Sequence, residues 1–395
     1  TVAGGVTVAN GATLQLQGGV SIGAESLTIN GGGVSGASYG ALESVSGVNS
    51  WAGAITLASA STIGSDGVNG TDSLTVSGNI NLSTFGLTVA NYTGAGNMLL
   101  SGIISGSGGL TKGGTNRVTL TGANTYTGAT IVNGGGTLIA KNNTALGTIA
   151  GGVTVNNNGA LVLSDGISVG AEALSLNGTG VNGTGVLVSA SGLNSWAGAI
   201  TLAGASTIES DADSLTLSGA ISMNNVGLTI GSNTNSGHVL ISGAIGSTGV
   251  GGVLTKLSSN RLTISGANTY TGATYITGGV LILGANNVLP DASVIYFNGG
   301  TLDNGGRTDI LGQLNIPNNS TLALNGSGVI TFSSIGSLLD YKRLTILGWQ
   351  GNYGETSSTG PTSATGSRVK FASMILSYQL DQIWFNDGTN NYYAL

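Results

Sequence analysis

The chain has 395 residues, of which 72 are Gly, three are Pro and none is Cys; 40% are hydrophobic, 7% are charged, and the net charge is −6. An average globular protein has about 7% Gly and about 25% charged residues, so glycine is more than doubled here and charge is cut to roughly a third. These totals exclude collagen, which needs abundant Pro and Gly at every third place, disorder, which needs a hydropathy well below the observed +0.30, and a dense phosphate-tracking surface for nucleic acid.

No apolar run approaches the roughly 18 to 20 residues of a membrane helix, so no membrane insertion is expected of this segment. The absence of Cys removes a disulfide framework and thiolate metal ligands, and no cofactor is expected. Val, Ile and Thr suit pleated sheets while Gly and Asn suit turns, which points to an all-β repeat architecture.

The chain opens on Thr1-Val2-Ala3-Gly4-Gly5-Val6-Thr7-Val8, which aligns with residues 148–155, so it is expected to begin inside a repeat unit. Short strands written apolar, polar, apolar then follow one another: Leu27-Thr28-Ile29, Ile55-Thr56-Leu57, Leu74-Thr75-Val76, Leu87-Thr88-Val89 and Val118-Thr119-Leu120. Their period of two is that of strands with one buried face. Residues 1–147 form the first repeat copy. In the second, GVSIGAESLTING from 19 returns at 166, GVNSWAGAITLASASTI from 47 returns at 192, and LTKGGTNRVTLTGANTYTGATI from 110 returns at 254. A third copy starts at 278 and diverges, so residues 148–302 hold copy two and the start of a third.

Stacked short strands joined by Gly and Asn corners spell a right-handed parallel β-helix, a β-solenoid, of about 20 to 25 residues per turn. At about 4.8 Å per rung this gives some 14 to 17 rungs. Residues 303–395 form a divergent C-terminal region and an aromatic-rich cap. Tyr341, Trp349, Tyr353, Phe371, Tyr378, Trp384, Phe385, Tyr392 and Tyr393 gather there, in a region read as two strand-rich elements, 337–349 and 367–385, with the polar loop 350–366 between them. Solenoids need atypical ends because an open rung exposes its core and its edge.

Few residues suggest chemistry. His238, the only histidine, reads as a surface or corner residue, since no G-x-S-x-G elbow accompanies it. Asp211 and Asp213 with Glu209, and Asp66 with Asp72 in the matching loop, have the oxygen ligands calcium would need but not its loop spacing, and read as solvated loops. Asp303, Arg307 and Asp309 are the most enzyme-like group by type and read as a turn with local ion pairs. Trp51 and Trp196, equivalent in the two copies, read as packing residues whose rings could alternatively stack on a glycan. Tyr126 and Tyr270 read as stacking along the solenoid. Lys112, Arg117, Lys256 and Arg261 read as exposed residues that keep strand edges soluble. Paired Thr ranks are absent, so ice binding is not expected. The catalytic, metal and cofactor lists are empty.

Residues 110–138, LTKGGTNRVTLTGANTYTGATIVNGGGTL, and their partner from Leu254 resemble the autotransporter-associated β-strand repeat, through L-T-K, N-R-[VL]-T-[LI] and GANTYTGAT. The resemblance implies a secreted or surface-displayed bacterial β-helix, outside the cell or on its surface. The function expected is that of a non-enzymatic structural subunit of a cell-surface fibre or layer, self-associating head to tail. Thr1, Val2, Val6 and Val8 would meet Trp384, Phe385, Tyr392 and Tyr393. The alternative is an adhesin binding a surface glycan or host protein, and a weaker one is a polysaccharide-active enzyme.

Overall fold

A computed structural model gives the fold, and it describes residues 4–35, 40–67, 70–91, 94, 96–338, 341–349, 368–373, 382–386 and 391–393. Thr1, Val2, Tyr353, Tyr378 and the loop 350–366 lie outside the described residues. The chain divides into two units, residues 1–200 and 201–395. Each is built of parallel strands stacked rung on rung, which is the expected β-solenoid.

The first unit has three faces. On the first, Val6–Val8, Leu27–Ile29, Ile55–Leu57, Ile80–Asn81 and Ile104–Ser105 stack in chain order. On the second, the stack runs through Leu14–Gln17, Leu42–Ser46, Ser61–Ser65, Leu87–Ala90, Leu110–Lys112, Thr130–Val132, Val153–Val155 and Leu174–Gly178. The third carries Val48–Trp51, Ser73–Val76, Asn97–Leu100, Arg117–Leu120, Thr137–Ala140, Ala160–Leu163 and Leu187–Ser189. A turn is short where Leu110 pairs with Thr130 and long where Leu27 pairs with Ile55, the long turn carrying the inserted glycine-rich stretch 31–40. After Ser105 the first face continues as extended backbone, with the Thr125 amide donating to the Ile104 carbonyl and the Thr127 amide to that of Gly106.

In the second unit Ile221–Ser222 pairs with Ile245–Gly246 on a short first face, and the second and third faces are longer stacks. Leu228–Gly231, Leu254–Lys256, Thr274–Ile276, Ile295–Asn298, Asp309–Asn318, Val329–Leu338 and Arg368–Phe371 form one stack. Ser214–Leu217, His238–Ile241, Arg261–Ile264, Val280–Leu283, Thr301–Asp303, Ser320–Ala323, Leu344–Leu347 and Ile383–Asn386 form the other. The strand Asn391–Tyr393 then pairs antiparallel with Ile383–Asn386, ending the parallel order of that face. The only helical turn among the described residues is the 3-10 segment Val181–Gly183.

Period two puts Leu74, Val76, Leu87, Val89, Val118 and Leu120 inside, all fully buried, with Thr75, Thr88 and Thr119 facing out. Glycine has a second task besides turning corners. Gly53, Gly78, Gly102 and Gly122 form a column on successive rungs, and a Cβ on each of the last three would overlap the carbonyl of the glycine beneath it.

Candidate functional site

Several polar side chains that the two copies share lie inside. In the first unit Asn49 accepts from the Val20 amide at 2.8 Å and donates to Ser44 Oγ at 2.9 Å, and Asn194 does the same with Ile167 and Ser189. Asn124 of GANTYTGAT accepts from the Ile104 amide on one rung (2.8 Å) and donates to the Ala145 carbonyl on another (2.6 Å). Asn268 repeats this in the second unit between the Ile245 amide and the Val288 carbonyl, both at 2.7 Å. Each asparagine is a staple across rungs, satisfying backbone groups that a corner would otherwise leave unpaired. Tyr126 and Tyr270 are buried and hydrogen-bond Thr130 Oγ1 (2.5 Å) and Thr274 Oγ1 (2.7 Å), which fixes each ring within its own copy. Burial pushes both phenols up from the usual tyrosine range.

Lys112 and Lys256 correct the reading of exposed edge residues, for both are fully buried. In L-T-K the parity of the strand sends Lys inward like the Leu two places before it. The ammonium then closes the corner. Lys256 Nζ donates to the carbonyls of Leu257 (2.6 Å), Ser258 (2.9 Å) and Gly278 (3.3 Å) and to Asn260 Oδ1 (2.7 Å). Lys112 Nζ donates to Gly113 and Gly114 in the same way. Burial pushes both ammonium groups down to about 8. Arg117 and Arg261 do face solvent, one place earlier in parity than their buried neighbours Val118 and Leu262.

The acidic candidates are dispersed. Asp66, Asp72 and Glu209 are buried instead of solvated, and Asp72 accepts from the Gly47 amide at 2.8 Å. Asp211 anchors the following rung, accepting from the Asn233 amide at 2.8 Å and from its Nδ2 at 3.2 Å, while Asp213 is exposed in a left-handed conformation. Around Arg307, which is exposed, the expected ion pairs do not form. Asp303 accepts from the Gly305 amide and from Asn325 Nδ2, and the fully buried Asp309 accepts from the Val288 and Leu289 amides. Two further carboxyls, Glu43 and Glu172, are buried as well. Burial pushes Glu43 up to about 8, Glu172 and Glu209 up to about 7 and Asp309 up to about 6. Among the described residues no three His, Cys, Asp or Glu side chains are grouped to hold a metal ion. His238 bonds Thr263 Oγ1 on the next rung at 2.8 Å, and burial, then Arg261, holds its imidazole below the usual range.

Trp51 and Trp196 are buried, at 2% and 0% exposure, and neither offers a ring face to a ligand; Trp196 Nε1 donates to the Glu172 carbonyl at 2.9 Å. Of the residues expected at an assembly interface, Val8 is buried and Val6 half-buried in the first unit. In the second, Arg343 lies 3.7 Å over the Trp384 ring, Phe385 packs on Trp349 with centroids 4.8 Å apart, and Tyr392 and Tyr393 lie on the antiparallel strand opposite Phe385 and Trp384. The outward aromatics of the body are elsewhere. Tyr275 and Tyr296 sit on neighbouring rungs of the second face with centroids 4.5 Å apart and rings 7° from parallel.

The staples were missed in the sequence because Asn and Lys are ordinarily counted as surface residues. Two signals mark them together: identity between copies, and even parity with a buried Leu or Trp.

Residues 110–140 and 254–283 match the passenger-associated-transport-repeat family. The chain is also similar to the adhesin BmaC autotransporter of Brucella suis biovar 1 (strain 1330), at 30% identity over 135 residues. That stretch is 34% of this chain and 4% of the relative, so the chain spans a small part of that protein's length. No solved structure matches the chain. Lys112, Asn124 and Tyr126, with Lys256, Asn268 and Tyr270, all fall within the two matched stretches, and this chain carries two repeats of the kind associated with autotransporter passengers.

Proposed function

We propose that this chain is part of the extracellular passenger of a bacterial surface adhesin, a non-enzymatic β-solenoid that carries a binding face away from the cell. The observation that supports this best is the direction of its chemistry: the Lys, Asn, Tyr and Trp that recur between copies are turned inward as rung staples. Such a body is built for rigidity, and its outside is left to Thr, Ser, Asn and Gly. The carboxylates a polysaccharide-active enzyme would need as a pair are instead spent separately on backbone amides. Displaying the chain on a non-adherent bacterial carrier tests the proposal. Adherence to host cells or matrix should rise above that of the empty carrier, and adherence equal to the empty carrier would sink it.

A second reading is the fibre or layer subunit that associates head to tail. Backbone pairing at the Ile383–Asn386 edge would first have to displace Asn391–Tyr393, which counts against docking there. Negative-stain microscopy of concentrated protein separates the two: filaments favour the subunit, dispersed monomers the adhesin.

A further inference from the structure

We infer that the cleft walled by the turn 179–186 of the first unit is a binding site for a short neutral saccharide. The inference rests on the adhesin reading and gives it a site and a ligand class.

Four observations lead there. First, one long turn makes the surface concave. The second and third faces are joined by the turns 113–116, 133–136 and 156–159 on three successive rungs, and by the longer 179–186 on the next. Thr115, Gly135, Asn158 and residues 179–183 together line a cleft of about 560 Å³, within the roughly 300–1,000 Å³ of small-ligand sites. Thr115 and Thr179 lie three rungs apart, about 14 Å at the rung spacing, so the long turn leans back over the short ones. Secondly, its wall is set before any ligand arrives. The Gly185 amide donates to the Thr179 carbonyl at 2.8 Å, and Thr184 Oγ1 to the Val181 carbonyl at 2.7 Å. A Cβ on Gly180 would lie 1.9 Å from the Gly185 carbonyl, so only glycine closes the turn this tightly. A preformed wall removes an ordering cost from binding.

Thirdly, the fold does not use the polar groups of the cleft. Other corner asparagines of this unit are engaged: Asn91 accepts from the amides of Thr115 and Asn116, and Asn156 donates to Asn133. Among the described residues the side chains of Asn158, Thr179 and Asn182 make no hydrogen bond, and all three are exposed. Thr115 Oγ1 accepts from Asn91 Nδ2 at 3.1 Å and keeps its own proton to give. Fourthly, the lining selects among ligands. It offers two amides and two hydroxyls, with Val181 as the single apolar side chain and no charged residue among those described. An anionic polymer therefore finds no counter-charge, and a lipid or an apolar helix finds no contiguous apolar area. An extended peptide would need an open strand edge, whereas these rungs meet the cleft as turns. Sugar hydroxyls donate and accept at once, and so do the amides and hydroxyls that face them.

Retention on immobilised lactose, cellobiose, chitobiose and maltose tests this, with a heparin disaccharide as the anionic probe. Wild-type chain should be retained on at least one neutral probe and not on heparin. Asn158 and Asn182 hold left-handed dihedrals, φ 62° and 53°, so Asn158→Gly/Asn182→Gly removes both amides without straining the backbone. That variant should unfold near the wild-type midpoint and bind about tenfold or more weakly. Thr179→Arg should also weaken retention, by obstructing the cleft with both amides intact. Retention only on heparin, on no probe, or unchanged in both variants would overturn the site. Carrier adherence, measured on the same proteins, keeps the readings apart. If wild-type adheres and the double-glycine variant adheres equally, the cleft fails as the adhesive site and the adhesin stands; if wild-type does not adhere, the adhesin fails itself.

Discussion

A buried lysine is costly unless its ammonium is fully partnered, and Lys256 meets that condition with three carbonyls and an amide oxygen. Lys256→Met keeps the apolar stem and removes the donor, leaving those acceptors unpaired in a dry corner. The expected loss is about 1–3 kcal/mol, read as a lower midpoint in urea denaturation. The same logic applies to Asn268→Ala, which strands the Ile245 amide and the Val288 carbonyl together and should cost about 2 kcal/mol or more. Both residues were legible in principle. The alternation that places Leu254 inside also places Lys256 inside, and only the habit of reading charge as surface obscured it. Trp51 and Trp196 follow the same parity behind Asn49 and Asn194. What the sequence could not reveal was the acceptor set, because the Lys256 cage includes Gly278 from the next rung, and contacts between rungs depend on register.

The strands were the readable element. Leu27–Ile29, Ile55–Leu57, Ser73–Val76, Leu87–Ala90 and Arg117–Leu120 occur where apolar and polar residues alternate. Ser61–Ser65 was less legible, since all five residues are buried and the alternation is lost; Glu43 lies against Gly64 there, accepting from the Gly40 amide at 2.8 Å. The corners explain most of the glycine excess in two ways. Some glycines take left-handed conformations, as Gly47 and Gly192 do before the buried Asn. Others, such as Gly78 and Gly102, have no such dihedral and are glycine because rungs touch there. Gly78→Ala would push a Cβ into the Gly53 carbonyl, which is backbone and cannot turn aside. It should lower stability by about 1–3 kcal/mol and speed amide exchange in Ser73–Val76 and Ile80–Asn81. Gly70→Ala, where a Cβ meets nothing, should leave both measurements unchanged.

At the scale of the whole molecule, the scarcity of charge concentrates the pH response in a few buried groups. Glu43, Glu172, Glu209 and Asp309 have folded values near 8, 7, 7 and 6, all raised by burial from the 4.5 and 3.8 of free side chains. Between those limits the folded chain binds more protons than the unfolded one, so stability is complete in mild acid and falls as pH rises from about 4.5 through 8. Lys112 and Lys256 act in the opposite sense and in another window. Their folded values near 8 lie below the free 10.5, so between 8 and 10.5 the unfolded chain binds more protons and stability climbs again with pH. The two sets meet near pH 8, where thermal unfolding should show a minimum midpoint, with the maximum near pH 5. Glu43→Gln/Glu209→Gln should flatten the acid limb, because an amide needs no proton to stay neutral. Lys112→Met/Lys256→Met should flatten the alkaline limb while lowering the whole curve through its unpaired carbonyls. A midpoint that rises steadily from pH 5 to 8 would mean that these carboxyls are ionised in the folded chain and that burial does not govern them.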